Sequence, residues 1–244
     1  MALPEIASPE QWVTARAELL RAEKELTRAR DALTAARRGL PMVEVTEDYR
    51  FDGPDGDVGL ADLFEGRSQL IVGHFMFDPE WEDGCSSCSA GADEMSPGHL
   101  THLHARDTTF AYVSRAPYEK IAAYKAKRGW TFPWYSSHGS AFNYDYGVTL
   151  DPEVAPMVYN YRPAEAYAEP GGSALLPGEY PGRSSFLRVG GRVFHTYSVY
   201  ARGLETIGGS YYLLDETALG RQEDWEEPRG RVQSVRGARP DFAP

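Results

Sequence analysis

The sequence predicts an α/β chain: a central mixed sheet with helices on its faces, preceded by one long helix. Three observations carry this reading. The two cysteines of the chain form Cys85-Ser86-Ser87-Cys88, directly after the apolar run 69–77, where a buried strand would end and a helix begin. Strand and helix patterns then alternate until a glycine-linked hairpin at 184–200. Residues 8–38 carry a seven-residue apolar repeat with start and stop signals at both ends.

The long helix opens on Ser8-Pro9-Glu10-Gln11, which supplies an N-cap serine, a proline at the first helical position and a glutamine at the third. Gly39 and Pro41 end it. Trp12, Leu19, Leu26 and Leu33 recur every seven residues, and Ala15, Ala22, Ala29 and Ala36 hold the complementary small positions. Such a seam allows close approach to another helix. We expect this arm, residues 1–41, to pair across a homodimer; packing along its own chain is the alternative.

A domain spanning 42–220 follows. Residues 43–45 and 49–51 read as strands of a small antiparallel ribbon, with turn residues at Gly53-Pro54-Asp55-Gly56. Residues 60–64 form a short helical turn, 69–77 a buried strand, and the cysteines open one helix running to about residue 104. Residues 108–114 are a second strand, and Pro117 opens a helix that Gly129 ends. Residues 130–135 are aromatic and extended, and 151–182, rich in Pro, Gly, Ala and Glu, read as a long excursion. Residues 184–189 and 192–200 form a hairpin across Gly190-Gly191, and 203–215 a helix. The tail 221–244 is charged and bears Pro and Gly, the composition of a draped or poorly ordered segment. This order, with Cys-x-x-Cys opening the first helix of the domain, is the thioredoxin layout. It is a three-layer fold in which the first two strands run parallel and the hairpin completes the sheet.

A Cys-x-x-Cys at a helix start suits thiol redox chemistry. The helix N-terminus presents unpaired N–H groups and about half a positive charge, which favour a thiolate. Cys85 is the expected attacking thiol, and Cys88, one turn on, the resolving thiol. Asp78, Glu80, Glu82 and Asp83 crowd the preceding loop and would oppose a thiolate unless they point outward or bind basic groups. Zinc is a second use of such a pair, but the chain has no further Cys-x-x-Cys to complete a finger. A structural disulfide closing so short a loop would restrain little.

The histidines are weaker candidates. His99, His102 and His104 suit a metal by spacing, but they fall about 20 Å from Cys85 by helical rise and are favourable at a helix C-terminus without one. His74 and His195 lie on strands and read as buried, satisfied histidines; His195 is the better candidate to approach the cysteines. The tract Trp130, Phe132, Trp134, Tyr135, Phe142, Tyr144 and Tyr146 reads as a hydrophobic wall beside the sheet, with a pocket lid as the alternative.

Composition bounds the partners. Acidic residues outnumber basic ones by 36 to 25, a formal charge of −11, which argues against a nucleic-acid backbone or an anionic membrane surface. No apolar stretch approaches the roughly 20 residues that span a bilayer. The N-terminus lacks a basic and apolar leader pattern, so a cytoplasmic location is expected, where a lone cysteine pair more often cycles or binds metal.

Several stretches together resemble the bacterial thioredoxin-like family filed as domain of unknown function family 899. They are Glu25-Leu-Thr-Arg-Ala-Arg-Asp31, Asp62-Leu-Phe-Glu-Gly-Arg-Ser-Gln-Leu70, His74-Phe-Met-Phe77, Arg106-Asp107, Val113-Ser-Arg-Ala-Pro117, Gly129-Trp-Thr-Phe-Pro-Trp-Tyr-Ser-Ser137, Phe142-Asn-Tyr-Asp145 and Leu219-Gly-Arg-Gln-Glu223. The resemblance implies a thioredoxin-like fold and says little about the reaction. Thioredoxins also expect a cis-proline facing the cysteines; the nearest proline here is Pro181, so Ser184 or Ser185 is expected to face the sulfurs, with Arg183 beside them. Phe77-Asp-Pro79 is similar to the strand-to-helix loop of peroxiredoxins, but Pro79 stands one residue short of their spacing and Glu82 takes their threonine place.

The leading expectation is a thiol–disulfide oxidoreductase without a cofactor. Its sites are Cys85, Cys88, Arg183 and Ser184, and its partner is a protein or small-molecule disulfide or thiol. The alternatives are a copper (or zinc) binding or delivery protein using Cys85, Cys88 and His195, a peroxiredoxin-like peroxide reductase, and a structural protein that keeps the fold without the chemistry.

Overall fold

The computed structural model describes residues 4–168, 174–206, 209–217 and 225. The chain divides into two compact units, residues 1–41 with 211–237, and 42–210 with 238–244. The tail at 221–244 lies, Trp225 apart, outside the described residues.

The first unit contains helix α1, Pro9–Arg38. Its start is the expected capping box: Ser8 Oγ accepts from the Gln11 N–H, and the Gln11 side chain accepts from the Ser8 N–H. Gly39 caps the other end, its N–H turned back onto the carbonyls of the last turn. No residue of α1 is buried, and Trp12, Leu19, Leu26 and Leu33 keep more than half of their surface exposed.

The second unit begins with β1 (Val43–Glu44), β2 (Arg50–Gly53), β3 (Gly56–Gly59) and β4 (Gln69–His74). Next come α2 (Ser86–Asp93), α3 (Pro97–His104), β5 (Thr108–Ser114), α4 (Tyr118–Arg128), β6 (Trp134–Ser136) and α5 (Phe142–Asp145). The excursion holds β7 (Thr149–Leu150), β8 (Val158–Tyr159), β9 (Arg162–Pro163) and β10 (Gly178–Glu179). The hairpin β11 (Gly182–Val189) and β12 (Arg192–Tyr200) follows; α6, Ser210–Asp215, belongs from residue 211 on to the first unit. The main sheet runs β1-β12-β11-β4-β5-β6-β2-β3. β4, β5 and β6 are parallel neighbours, and β11 lies antiparallel on β4 and on β12. This is a thioredoxin-like mixed sheet flanked by helices.

The local signals act as expected in the centre. β5 is buried along its whole length, as a strand covered on both faces must be. Gly129 ends α4 in the left-handed region at φ 70°, and Gly190 and Gly191, at φ 56° and 82°, form the turn that a two-residue hairpin requires. One face of the sheet carries Leu70, Val72, Ala111, Val113, Phe142 and Phe186; the other carries Phe75, Phe110, Tyr112, Ile121, Phe132 and Trp134. Three of the seven aromatic-tract residues are core, Phe132, Trp134 and Phe142 at 0–1 % exposed, and Trp130, Tyr135 and Tyr146 pack against it partly buried.

Three expectations are corrected. Residues 43–44 do not pair with 50–53; Val43 pairs with His195 at the far sheet edge, while β2 pairs with β3 across the predicted turn. The cysteine helix does not run to residue 104. It stops at Asp93, because Ser96 caps a new helix and Pro97 at its first position cannot continue the old one. The excursion is not structureless where it is described: Val148, Leu150, Tyr159, Leu175 and Tyr200 form a third apolar cluster. No helix among the described residues is long and apolar enough to cross a membrane.

Candidate dithiol site

The thiols stand where β4 hands over to α2. After His74 the chain stays extended, and the Phe75 N–H still bonds the Val113 carbonyl at 2.9 Å. A loop then returns so that the Cys85 N–H donates to the Met76 carbonyl at 3.0 Å. Cys85 is the N-cap of α2 and Cys88 sits in its first turn; both are free thiols.

Two contacts brace this corner. Ser89 Oγ donates to the Cys85 carbonyl at 2.9 Å and lies 2.9 Å from Tyr124 Oη on α4, with both side chains buried from solvent. A serine has one hydrogen, so Tyr124 is the donor to Ser89. Asp93 at the far end of α2 accepts from Arg128 at 2.6 Å and from Trp130 Nε1 at 2.8 Å.

The loop acids do not turn on the thiols as a group. Asp78 binds Arg115 at 3.1 Å and Asp83 binds Lys127 at 3.1 Å. Lys120 donates to the carbonyls of Pro79 and Trp81 at 2.6 and 2.7 Å. Bases following β5 and on α4 thus absorb part of the charge that the sequence places before Cys85. Arg115 also reaches Tyr144, and its Nε lies 2.9 Å from Glu179 Oε1, although its N–H is not aligned on that oxygen. Burial raises the Glu179 carboxyl to about 7, against the pull of Arg115 and the Thr149 hydroxyl.

The two thiols are electrically unequal. A hydrogen bond to Cys85 pushes the Cys88 thiol well above its ordinary value, with burial and the charge of Cys85 acting in the same sense and the Met76 backbone opposing. Cys88 packs into the cluster around Tyr112 and Phe110.

Arg183 shares this face. In the sheet register Arg183 pairs with Gly73, and Gly73 with Tyr112, which sets all three in one row. The Tyr112 phenol is kept protonated by burial first; a Cys88 charge would raise it further, and Arg183 lowers it. Ser184, one residue on, points to the opposite face. It is fully buried and bonded to His74 Nε2 at 2.8 Å and Ser198 Oγ at 2.7 Å. The expectation that Ser184 faces the sulfurs is therefore corrected by strand alternation: with Arg183 on the thiol face, Ser184 cannot be. Ser185 returns to Arg183's face by the same rule.

His195 is likewise on the face away from the thiols, its ring against Tyr146 and Phe186 and its Nε2 on Ser198. The set Cys85, Cys88 and His195 is not brought together. His99 is used in the capping box of α3, and His102 and His104 lie in that helix's last turn. Among the described residues no group of three or more His, Cys, Asp or Glu side chains is gathered as a metal would need.

Sequence reasoning missed Gly73, Gly84, Ser89, Tyr112 and Tyr124. Glycine inside a buried strand was the available signal for the first, since it marks close approach; a Cβ at Gly73 would stand 2.6 Å from the Tyr112 ring.

Fold and site together define a thioredoxin-like protein with a vicinal dithiol at a helix start. The chain matches the family described as "Bacterial protein of unknown function (DUF899)" over residues 1–237, and it belongs to that family. No curated protein matches it. Among solved structures it is similar to peroxiredoxin Q of Xanthomonas campestris, at 12% identity and TM-score 0.45 over 66% of this chain and 86% of that one. It is similar to peroxidoxin BcpB of Mycobacterium tuberculosis at 13% identity and TM-score 0.42, over 66% and 85%. A putative protein disulfide isomerase of Bacteroides thetaiotaomicron aligns at 21% identity and TM-score 0.30, over 41% and 63%.

Proposed function

We propose that the protein is a thiol–disulfide oxidoreductase. The observation that carries this is the unequal thiol pair at the N-terminus of α2. Cys88 is held as a thiol by its bond to Cys85 and by burial, which leaves Cys85, at the helix N-cap, as the member to react as thiolate. The Cys85 thiolate attacks one sulfur of a substrate disulfide, forming a mixed disulfide and releasing the first substrate thiolate. Cys88 then loses its proton and attacks Cys85 Sγ, which frees the second substrate thiolate and closes the Cys85–Cys88 disulfide. The substrate gains two electrons and the protein loses two. Arg183, on the same face, offsets negative charge during both steps. No cofactor enters this sequence, and the partner is a disulfide- or thiol-bearing protein or small molecule.

The test is mass spectrometry of the peptide holding both cysteines after mild oxidation and after reduction. A two-hydrogen difference supports the reading, and two thiols that stay free under oxidant overturn it. Cys85→Ser abolishes turnover of a model disulfide, and Cys88→Ser traps the mixed disulfide.

We also propose that α1 pairs with α1 of a second copy. Its large and small positions are self-complementary along four heptads, and an isolated helix exposing that stripe is costly in water.

A further inference from the structure

The turn that leads into the dithiol helix is pinned at several points around one exposed ring. Asp78-Pro79-Glu80-Trp81 is a β-turn: the Trp81 N–H donates to the Asp78 carbonyl at 3.1 Å, and the Glu80 N–H to Asp78 Oδ1 at 2.9 Å. Aspartate at the first position and proline at the second are residues that such a turn favours. Lys120 of α4 donates to the carbonyls of Pro79 and Trp81 at 2.6 and 2.7 Å, and Arg115 holds Asp78 Oδ2 at 3.1 Å. Two residues on, Asp83 is tied to Lys127 of α4. The backbone on both sides of Trp81 is therefore fixed by α4 and by the residue that follows β5.

The Trp81 side chain is 37 % exposed. Among the described residues it meets no hydrogen-bond acceptor, no second ring and no cation. The other two tryptophans of the second unit are engaged: Trp134 is 1 % exposed, and Trp130 donates to Asp93 at 2.8 Å. A single exposed apolar side chain is ordinary. One whose backbone is pinned beside a reactive thiol is different, because a partner that touches it has little left to order. Trp81 precedes Cys85 by four residues, a span of at most about 14 Å.

Charge decides what the ring takes. Glu80 and Glu82 flank it, both exposed, and neither side chain has an ion-pair or hydrogen-bond partner among the described residues. The bases that touch the loop are engaged. Arg115 binds Asp78, Lys127 binds Asp83, and Lys120 binds the two carbonyls, where its charge offsets one of the two unpaired carboxylates. A cation gains twice here, from the negative face of the indole and from the carboxylates beside it, and tryptophan is the ring that attracts cations best. An anion is repelled by the same groups. The formal charge of −11 on the whole chain acts in the same sense at longer range.

We infer that Glu80, Trp81 and Glu82 form a recognition site for a lysine or arginine side chain of a polypeptide whose sulfur reacts with Cys85. The inference rests on the oxidoreductase reading and adds a substrate class to it. The substrate is a disulfide in a polypeptide that carries a basic residue within about four positions of its cysteine, the length of chain that covers the distance from Cys85 to Trp81.

The test compares two peptide disulfides. One is the symmetric dimer of acetyl-Lys-Ala-Ala-Cys-Ala-Ala-Lys-amide; the other has glutamate in place of each lysine. The reduced full chain is expected to react with the lysine dimer on the order of tenfold faster. Trp81→Ala lowers that ratio by about two- to fivefold, the share of an exposed cation–π contact, and Trp81→Phe, which keeps a ring, retains more of it. Glu80→Gln with Glu82→Gln lowers the ratio as well. A ratio near one in the wild type overturns the inference, and so does a ratio that Trp81→Ala leaves unchanged. A second readout needs no reaction. The same peptides with serine for cysteine are titrated onto the wild-type chain and followed by the indole N–H resonance of Trp81. The lysine peptide shifts that resonance and the glutamate peptide does not. A Trp81 resonance indifferent to the lysine peptide overturns the site, whereas cysteines that stay free under oxidant overturn the oxidoreductase reading and leave the titration unaffected.

Discussion

Gly84 and Phe75 are packed so closely that a Cβ on Gly84 would stand 2.6 Å from Phe75 Cε1, with the Tyr124 ring 3.0 Å away. Phe75 is 1 % exposed and cannot swing aside. The residue before Cys85 is thus held against the core, which sets where the sulfur lies. Gly84→Ala is expected to cost about 1–3 kcal/mol by overpacking and to slow the reaction of Cys85. Gly91→Ala, in α2 with nothing within 4 Å of the new methyl, is expected to stabilise by about 0.5–1 kcal/mol. Urea midpoints of the two variants check this; equal midpoints would sink the packing argument.

The thiols are predicted to alkylate at different rates. Cys88 is raised well above the ordinary thiol range, first by its bond to Cys85 and then by burial. At pH 7 iodoacetamide should label Cys85 at least about tenfold faster than Cys88, since one pKa unit is a factor of ten in thiolate. Peptide mapping after short exposures reads the ratio. Preferential labelling of Cys88 would reverse the assigned roles.

Arg183 stands in the row that also holds Tyr112, on the face where Cys88 packs. Arg183→Met is predicted to lower the rate of reaction with a small disulfide on the order of tenfold through lost charge. Arg183→Lys should recover most of it. A pH profile of the rate distinguishes this from misfolding, because only loss of the charge shifts the profile upward.

Glu179 couples stability to pH. Its carboxyl is raised from 4.5 to about 7 by burial. Below pH 4.5 both folded and unfolded chains hold the proton, and between 4.5 and 7 only the folded chain keeps it. The contribution is therefore complete in acid and is lost as pH rises through that window, with a slope approaching ~1.4 kcal/mol per pH unit. Glu179→Gln should remove this slope. Superimposable stability–pH curves for wild type and variant would contradict the shift.

For α1, Leu19 and Leu26 lie on the exposed seam, at 56 and 51 % exposure. If a second copy covers that seam, Leu19→Glu with Leu26→Glu converts a dimer to a monomer in sedimentation with the circular dichroism of the sheet unchanged. A wild-type monomer at micromolar concentration removes the pairing.

Much of the frame was legible because its signals are short-range. The Ser8–Gln11 box starts α1, the apolar run 108–114 is β5 residue for residue, Gly129 stops α4, and Gly190-Gly191 turns the hairpin. The cysteine pair at a helix start was equally local. The second helix, α3, was signalled by Ser96 and Pro97 but masked by the continuous polar pattern around them.

What only the tertiary structure decided are relations between residues far apart in the chain. Period-two alternation states that Arg183 and Ser184 face opposite ways, but not which of them joins the thiols; the β4–β11 register decides it. Glu44 meets Arg192 across 148 residues, and His74 meets Ser184 across 110. Likewise, Asp78 and Asp83 read as a charge crowd until the residues after β5 and on α4 bring Arg115 and Lys127 against them. Caps, turns and periodicities are energies of neighbouring residues, so the sequence alone carries them. Sheet register and the pairing of buried polar groups are energies of the assembled layers, and they exist only once the chain has closed on itself.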